Sequence, residues 1–378
     1  MSETEPRVLL DATAIPADRG GVGRYVEGIV AAYRGDLVVV CQRRDLEALR
    51  RLAPHAELVA APAIASRTWA RLLWEQLGLP RLARKQHAEV IHSPHYTLPV
   101  ASGLPRVVTF HDATFFSDPA VHRTLKRGFF RTWIRVSARL AAGIVVPSAS
   151  TGAEIARFVA LRGPVTVAHH GVDLSVFHPP APDAVDGFAK RHGLAGDWIA
   201  FLGTLEPRKN LPALIRALGA LARTGREVPP LVLAGARGWD TALDDVIREE
   251  PEVDVRRAGY LGIDELPALL GGATLVAYPS LGEGFGLPVL EAMACRAAVL
   301  TTRRLALPEV GGEAVAYTEP DPSSIAEAVG ELLAAPARRD QLRAAAVERA
   351  GRFSWDASAR AHHDAFRNAA GSVRGTTA

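Results

Sequence analysis

Short runs in which every residue is apolar alternate, along the first half of the chain, with longer stretches whose apolar positions recur every three or four residues. "RVLLDA", "DLVVVCQ", "AEVIHSP", "RVVTFHD" and "AGIVVPS" are too short for helices and apolar on both faces, the pattern of parallel strands buried between helical layers. Val22–Tyr33, Arg67–Lys85 and His122–Ala141 between them read as amphipathic helices. The alternation predicts an α/β protein with a parallel sheet covered on both sides. It then breaks at Gly171–Gly187, which is rich in proline and aspartate, has no lysine or arginine, and reads as a linker. Beyond it the alternation restarts with "WIAFLGT", "PLVLAGA", "ATLVAYPS" and "AAVLTT". Two α/β halves are expected, residues 1–178 and 179–355, followed by a helical tail over 356–378 that frays at its end. On such sheets ligands bind beyond the carboxyl ends of the strands, and with two halves that crevice lies between them.

At 378 residues, with 48% hydrophobic and 22% charged residues, the chain can build two ordinary globular cores. Cys41 and Cys295 are far apart in apolar contexts, which excludes a disulfide framework or a cysteine zinc site and fits a reducing compartment. "MSETEPRVLL" lacks the layout of a secretion signal, and no apolar run reaches the ~18–20 residues that span a bilayer. A cytoplasmic protein is expected, able to lie peripherally at the inner face of the cell membrane. A net charge of +3 says little by itself, so the distribution of charge matters more.

Polar chemistry gathers where apolar runs end. In "FLGTLEPRKNLPALIRAL", Arg208 and Lys209 stand between a strand and a helix. Adjacent cations beside free helix N–H groups suit a phosphate or diphosphate; a solvated loop is the bland alternative. In "GEGFGLPVLEAM", Glu283 precedes a helix, Pro288 opens it and Glu291 lies inside it. Gly284 and Gly286 let backbone approach a ligand, and the two acids could bracket a sugar and a ribose. Metal ligation lacks a third ligand nearby, and helix capping is the structural alternative for Glu291. Near the N-terminus, Gly20, Gly21 and Gly23 form a glycine loop, though Val26 takes the third glycine position of the dinucleotide fingerprint. His111 and Asp112 end the strand "VVTF", where α/β sites collect polar groups, although a satisfied structural histidine is the common reading of a single example.

Residues 122–140 carry Arg123, Arg127, Arg131, Arg135 and Arg139, with Lys126, aromatic residues and no acid. Such a helix can lie on an anionic membrane surface or present a solvated face over a core. Nucleic acid is not expected as a partner, because no second basic element is evident in the pattern. No "GxxxxGK[ST]", "GxSxG" or "HExxH" occurs, which thins out P-loop, α/β-hydrolase and zinc-protease functions.

Taken together, "GGVGRYV", "TFHD", "PSAST", "GVDLSVFHP", "GTLEPRKN" and "PSLGEGFGLPVLEAMAC" resemble glycosyltransferase family 4, the retaining transferases of GT-B fold. The resemblance covers nearly the whole chain, and its most specific part is the Glu-x7-Glu spacing of Glu283 and Glu291. It implies two Rossmann-like doubly wound parallel-sheet domains facing each other across a cleft, the acceptor mostly on the first and the donor mostly on the second. By matching positions, Arg208 and Lys209 would bind the donor diphosphate and stabilise the departing nucleotide. Glu283 would hold the transferred sugar, with the backbone of Gly284, Phe285, Gly286 and Leu287 around it. Glu291 would take the ribose, Tyr260 and Leu261 would meet the base, His111 would line the sugar site, and Gly21 would approach the reacting centre. No metal or other cofactor is implied, and the last helix would pack back on the first domain. Two departures stand out: Thr204 occupies a position where relatives carry arginine, and Arg296 replaces a helix-ending glycine.

Among members of the family the motifs look most like bacterial mannosyltransferases. The expected reaction moves mannose from GDP-mannose to a glycan or lipid-linked acceptor in cell-envelope polysaccharide synthesis. A UDP-sugar donor, a non-hydrolysing sugar-nucleotide epimerase and a non-catalytic nucleotide-sugar-binding protein are the alternatives.

Overall fold

The computed structural model describes residues 5–16, 19–117 and 124–374. By internal contacts the chain forms two units, Met1–Gly171 with Ser354–Ala378, and Val172–Phe353.

The first unit holds a seven-stranded sheet: β1 (Val8–Asp11), β2 (Leu37–Cys41), β3 (Glu57–Ala60), β4 (Val90–Ser93), β5 (Arg106–Thr109), β6 (Gly143–Val146) and β7 (Val165–Val167). Its order is β3-β2-β1-β4-β5-β6-β7, and every pair is parallel. Pleating sends alternate residues to opposite faces. On one face Val8, Leu10, Val107 and Val145 pack with Tyr25, Val26 and Ile29 of the Gly21–Ala32 helix and Phe366 of the Trp355–Arg374 helix. On the other, Leu9, Val38 and Ile91 meet Leu79 and Ala83 of the Thr68–Lys85 helix, while Val108, Ile144 and Val146 meet Ile134 and Ala138 of the Thr124–Leu140 helix. Ser93 pairs with Val108 in register, so these two helices share one face of the sheet.

The second unit repeats the plan with β8 (Ile199–Leu202), β9 (Leu231–Ala234), β10 (Val255–Gly259), β11 (Leu275–Tyr278), β12 (Val299–Thr302) and β13 (Ala316–Thr318), in the order β10-β9-β8-β11-β12-β13. These pairs are parallel too. In both sheets the strand order reverses once, between β1 and β4 and between β8 and β11, the two places where an α/β sheet opens a binding crevice.

One sequence expectation changes. The segment expected as a linker, Gly171–Gly187, is structured in its second half, where Pro182–Arg191 is a helix. Proline is at home in a helix's first turn, where its missing N–H costs nothing, and Asp183 favours the positive end. Phe188 then anchors that helix in the core of the second unit.

Candidate active site

The second switch point is where the sequence places its cations, and the chain builds it in three steps. β8 ends at Leu202, Gly203 turns at φ 151°, and the chain reaches a short 3-10 turn at Pro207–Lys209. Asn210 follows in the left-handed region at φ 59° and donates from Nδ2 to the Pro320 carbonyl at 2.7 Å and the Pro279 carbonyl at 3.2 Å. Those bonds tie the loop after β8 to the loop after β11. The Leu281 N–H donates to the Arg208 carbonyl at 2.9 Å, which fixes the two loops in register.

Glu283 is the centre of what they enclose. Lys209 Nζ lies 2.7 Å from its Oε1 and Arg208 Nη1 lies 2.5 Å from its Oε2. Ser280 Oγ donates to Oε1 at 2.7 Å and Tyr278 Oη at 3.1 Å. The Lys209 ammonium also donates to the Tyr278 hydroxyl, and Arg208 Nη2 reaches Glu206 Oε1 at 2.6 Å. Lys209 and Glu283 are both buried. Burial alone would raise the Glu283 carboxyl, but the charges of Arg208 and Lys209 outweigh it and hold the group at about 2. Burial lowers Lys209, assisted by Arg208 and opposed by Glu283 and Glu206. Two guanidinium or ammonium charges face two carboxylates, so an anionic ligand reaching this point meets cations already balanced by Glu283 and Glu206.

Beyond Glu283 the backbone swings at Gly286, whose φ of 104° requires glycine and whose Cβ would stand 2.9 Å from Leu307. The Leu287–Ala294 helix starts there, with Phe285 and Leu287 buried and Gly284 half-buried. Glu291 is buried on that helix and, after burial itself, helps push up the Cys295 thiol. Tyr260 follows β10 and is 63% exposed, with Leu261 packed partly against the core. Of the residues singled out from sequence, the fold therefore clusters Arg208, Lys209 and Glu283. Glu291, Tyr260 and Leu261 belong to the same unit, and Gly21 and His111 to the other.

Sequence reasoning missed Tyr278, Ser280 and Glu206. The signal was present in "LVAYPS", where hydroxyl side chains terminate an apolar strand.

In the first unit, Gly21 opens the helix after β1, and a Cβ there would meet nothing within 4 Å. His111 follows β5 and places Nε2 2.7 Å from the Pro94 carbonyl, which can only accept. Its Nε2 therefore carries the proton, and burial lowers its pKa. It meets Tyr25 edge-on at 4.9 Å. Behind it runs a chain of polar groups. His362 Nδ1 lies 2.7 Å from the Ser358 carbonyl and so donates to it, which leaves Nε2 to accept from Tyr25 Oη at 2.7 Å. Tyr25 accepts from Thr109 Oγ1 at 2.8 Å, and Thr109 accepts from His92 Nε2 at 2.9 Å. Every member is uncharged in that arrangement. Burial pushes His362 down to about 4 and His92 and His170 well below the usual imidazole range.

Comparison with known proteins gives these loops a context. Residues 19–176 match the family described as Glycosyltransferase Family 4, and residues 196–335 match Glycosyl transferases group 1. O-antigen chain mannosyltransferase B of Escherichia coli is 32% identical over 275 residues, covering 71% of each chain. A serotype-specific mannosyltransferase of E. coli, WbdA, is 34% identical over 179 residues, which span 22% of that longer protein. Among solved structures, sucrose-phosphate synthase from Thermosynechococcus elongatus has a TM-score of 0.76 at 20% identity, covering 96% of this chain and 98% of that one. HepE of Anabaena, solved with UDP and glucose, has a TM-score of 0.73 at 17% identity, covering 94% and 97%. The two parallel sheets and these likenesses define a glycosyltransferase of GT-B architecture. Within that class, the chain belongs to glycosyltransferase family 4.

Proposed function

We propose that the protein transfers mannose from GDP-mannose, with retention of anomeric configuration and without a metal, to a glycan or lipid-linked acceptor in cell-envelope polysaccharide synthesis. The observation that carries the reading is the buried Arg208–Glu283–Lys209 cluster at the switch point of the second sheet. Arg208 and Lys209 receive the donor diphosphate and neutralise the charge that develops as the nucleotide leaves, the task a metal performs elsewhere. Glu283, released from them, accepts hydrogen bonds from hydroxyls of the transferred hexose. Glu291 holds the ribose, Tyr260 and Leu261 border the base, and the backbone from Gly284 to Leu287 lies along the sugar and phosphates. His111, with Nδ1 directed away from its bond to Pro94, lines the sugar site, and Gly21 leaves room at the reacting carbon.

Relatives named as mannosyltransferases support the choice of sugar, and HepE solved with UDP and glucose keeps a uridine donor as the second reading. The site of action is the cytoplasmic side of the membrane, with residues 122–140 as a peripheral contact. His122 and Arg123 lie outside the described residues, and no helix among those described is long and apolar enough to cross a bilayer.

The test is thermal stability against GDP, UDP, ADP, TDP and their sugars in the presence of a chelator. A ligand at 100 times its dissociation constant stabilises by about 2.7 kcal/mol. A shift confined to GDP and GDP-mannose supports the reading. A shift with uridine compounds alone replaces the donor, and no shift with any nucleotide overturns the donor site.

A further inference from the structure

The Thr68–Lys85 helix buries Ala70, Glu75, Leu79 and Ala83 against the first sheet and turns a second apolar stripe outward. Trp69, Leu73 and Leu77 recur every fourth residue and are 58%, 56% and 59% exposed. Ile64, in the turn just before the helix, is 53% exposed. Four large apolar side chains on one short stretch of solvent-facing surface need a partner. The flanks say which kind. Between Ala61 and Ala88 the chain carries Arg67, Arg71, Arg81, Arg84 and Lys85, and its only acid is Glu75, which is 2% exposed and faces inward. This is a second basic element, contrary to the single one expected from sequence. It lies on the same face of the sheet as the Thr124–Leu140 helix, which exposes Phe129, Arg135 and Arg139.

We propose that this face docks on an anionic bilayer surface, with Trp69, Leu73 and Leu77 entering the interfacial region and Arg67, Arg81 and Lys85 meeting lipid phosphates. An apolar line of Trp and Leu bordered by cations is the make-up of a helix that lies in the membrane plane, and indole is at home at that boundary. Charge decides against the obvious competitor. Arg71 is turned inward beside Glu75, and a two-fold contact with a second copy would set the same patch against itself, bringing the four exposed cations Arg67, Arg81, Arg84 and Lys85 against four with no exposed acid in the segment. Nucleic acid would use the charges but leave the apolar stripe in water. The inference deepens the reading of an enzyme working on envelope glycans, and moves the principal contact from residues 122–140 to this helix.

The experiment is co-sedimentation of the full chain with vesicles of phosphatidylcholine alone and with one third phosphatidylglycerol. Binding only to the anionic vesicles is expected, with a blue shift of tryptophan emission that the Trp69→Phe variant loses. Leu73→Ser with Leu77→Ser should weaken binding at least ten-fold, and Arg81→Glu with Lys85→Glu by a similar factor. Arg135→Glu with Arg139→Glu should have the smaller effect. The thermal response to nucleotides, read on the same variants, stays at the wild-type value and separates this surface from the donor site. Absence of wild-type binding to anionic vesicles overturns the proposal, as does unchanged binding by the serine variant. A dimer that the serine variant converts to monomer assigns the stripe to self-association and also overturns it. So does binding to a nucleic-acid duplex without binding to vesicles.

Discussion

The ammonium of Lys209 and the carboxylate of Glu283, 74 residues apart in sequence, meet at 2.7 Å in the buried end of the second sheet. Arg208 closes the other oxygen of the same carboxylate, so the cations proposed to receive the donor diphosphate are paired with the acid proposed to hold its sugar. Donor binding must exchange partners: phosphate oxygens for Glu283 on the cations, sugar hydroxyls for the cations on Glu283. Arg208→Ala with Lys209→Ala should lower turnover by at least ~10²-fold, the scale of lost leaving-group stabilisation. Glu283→Gln, which leaves two cations facing a neutral amide, should cost about 3 kcal/mol of stability as well as turnover. The Glu283 carboxyl is held at about 2 against an ordinary 4.5. Its contribution to stability is therefore present above 4.5 and lost as pH falls towards 2. Steady-state rates and urea denaturation read both effects, and near-normal turnover in the double variant would sink the assigned roles.

Arg296 offers a gain. It has φ 61°, a left-handed conformation in which a side chain is strained. Its N–H donates to the Met293 carbonyl at 3.1 Å and that of Ala297 to Ala292 at 3.0 Å, the pair of bonds that ends a helix in a Schellman turn. Arginine has thus been fitted into a glycine geometry without altering it. Arg296→Gly should raise stability by about 0.5–1 kcal/mol, the relieved strain exceeding glycine's extra freedom in the unfolded chain. An unchanged or lower denaturation midpoint would refute this.

Glu75 gives the first unit an unusual response to base. Burial raises its carboxyl, the neighbouring Asp11 adds to the shift, and the group reaches about 8. Between roughly 4.5 and 8 the folded chain keeps a proton that the unfolded chain has released. Its stability is fully present below that window and is lost as pH rises through it, at about 1.4 kcal/mol per pH unit. Glu75→Gln keeps an acceptor for Thr97, which bonds Glu75 Oε2 at 2.9 Å, and cannot ionise. Its stability relative to wild type should rise by more than 1 kcal/mol between pH 5 and pH 8. Parallel denaturation curves at the two pH values would contradict the assignment.

Acid acts on the histidine chain in the opposite sense. His362 is held at about 4, with His92, His111 and His170 also lowered. Each binds a proton less readily in the folded chain than in the unfolded one, so protons are taken up on unfolding below about 6.5. Their stability is present above 6.5 and is lost as pH falls from there towards 4. His362 alone offsets the opposing proton held by Glu75 over that window, so with the other three histidines also lowered, stability should fall as pH falls from 6.5. His362→Gln should make the slope shallower by about one proton. A flat profile from pH 7 to pH 5 would count against an uncharged chain.

Much of the architecture was legible in the apolar runs. Each strand named from sequence is a central or near-central one, where both faces are covered and the run is continuous. β3, β7, β10 and β13 are the edge strands and escaped notice for two reasons: "ELVA" and "VRRAG" carry charged residues of the kind that keep an exposed edge from pairing, and "VTV" and "AYT" are only three residues long. The Pro182–Arg191 helix hid behind prolines that mark its start. The outward stripe of Trp69, Leu73 and Leu77 was invisible for a different reason. Apolar residues on an amphipathic helix are read as core by default, and only the position of the sheet shows that Leu79 and Ala83 face it and these three do not.

The sequence on its own thus carried the fold class, the alternation of central strands and helices, and the family, because period, turn chemistry and motif spacing are local properties of the chain. It also put Arg208, Lys209 and Glu283 at the ends of buried strands. It took the fold to show that those three share one buried cluster with Tyr278 and Ser280. The reason is that a parallel sheet brings β8 and β11 side by side, although β9 and β10 lie between them in the chain. Charge pairing, burial and the pKa values that follow depend on that adjacency, and no pattern along the chain encodes it.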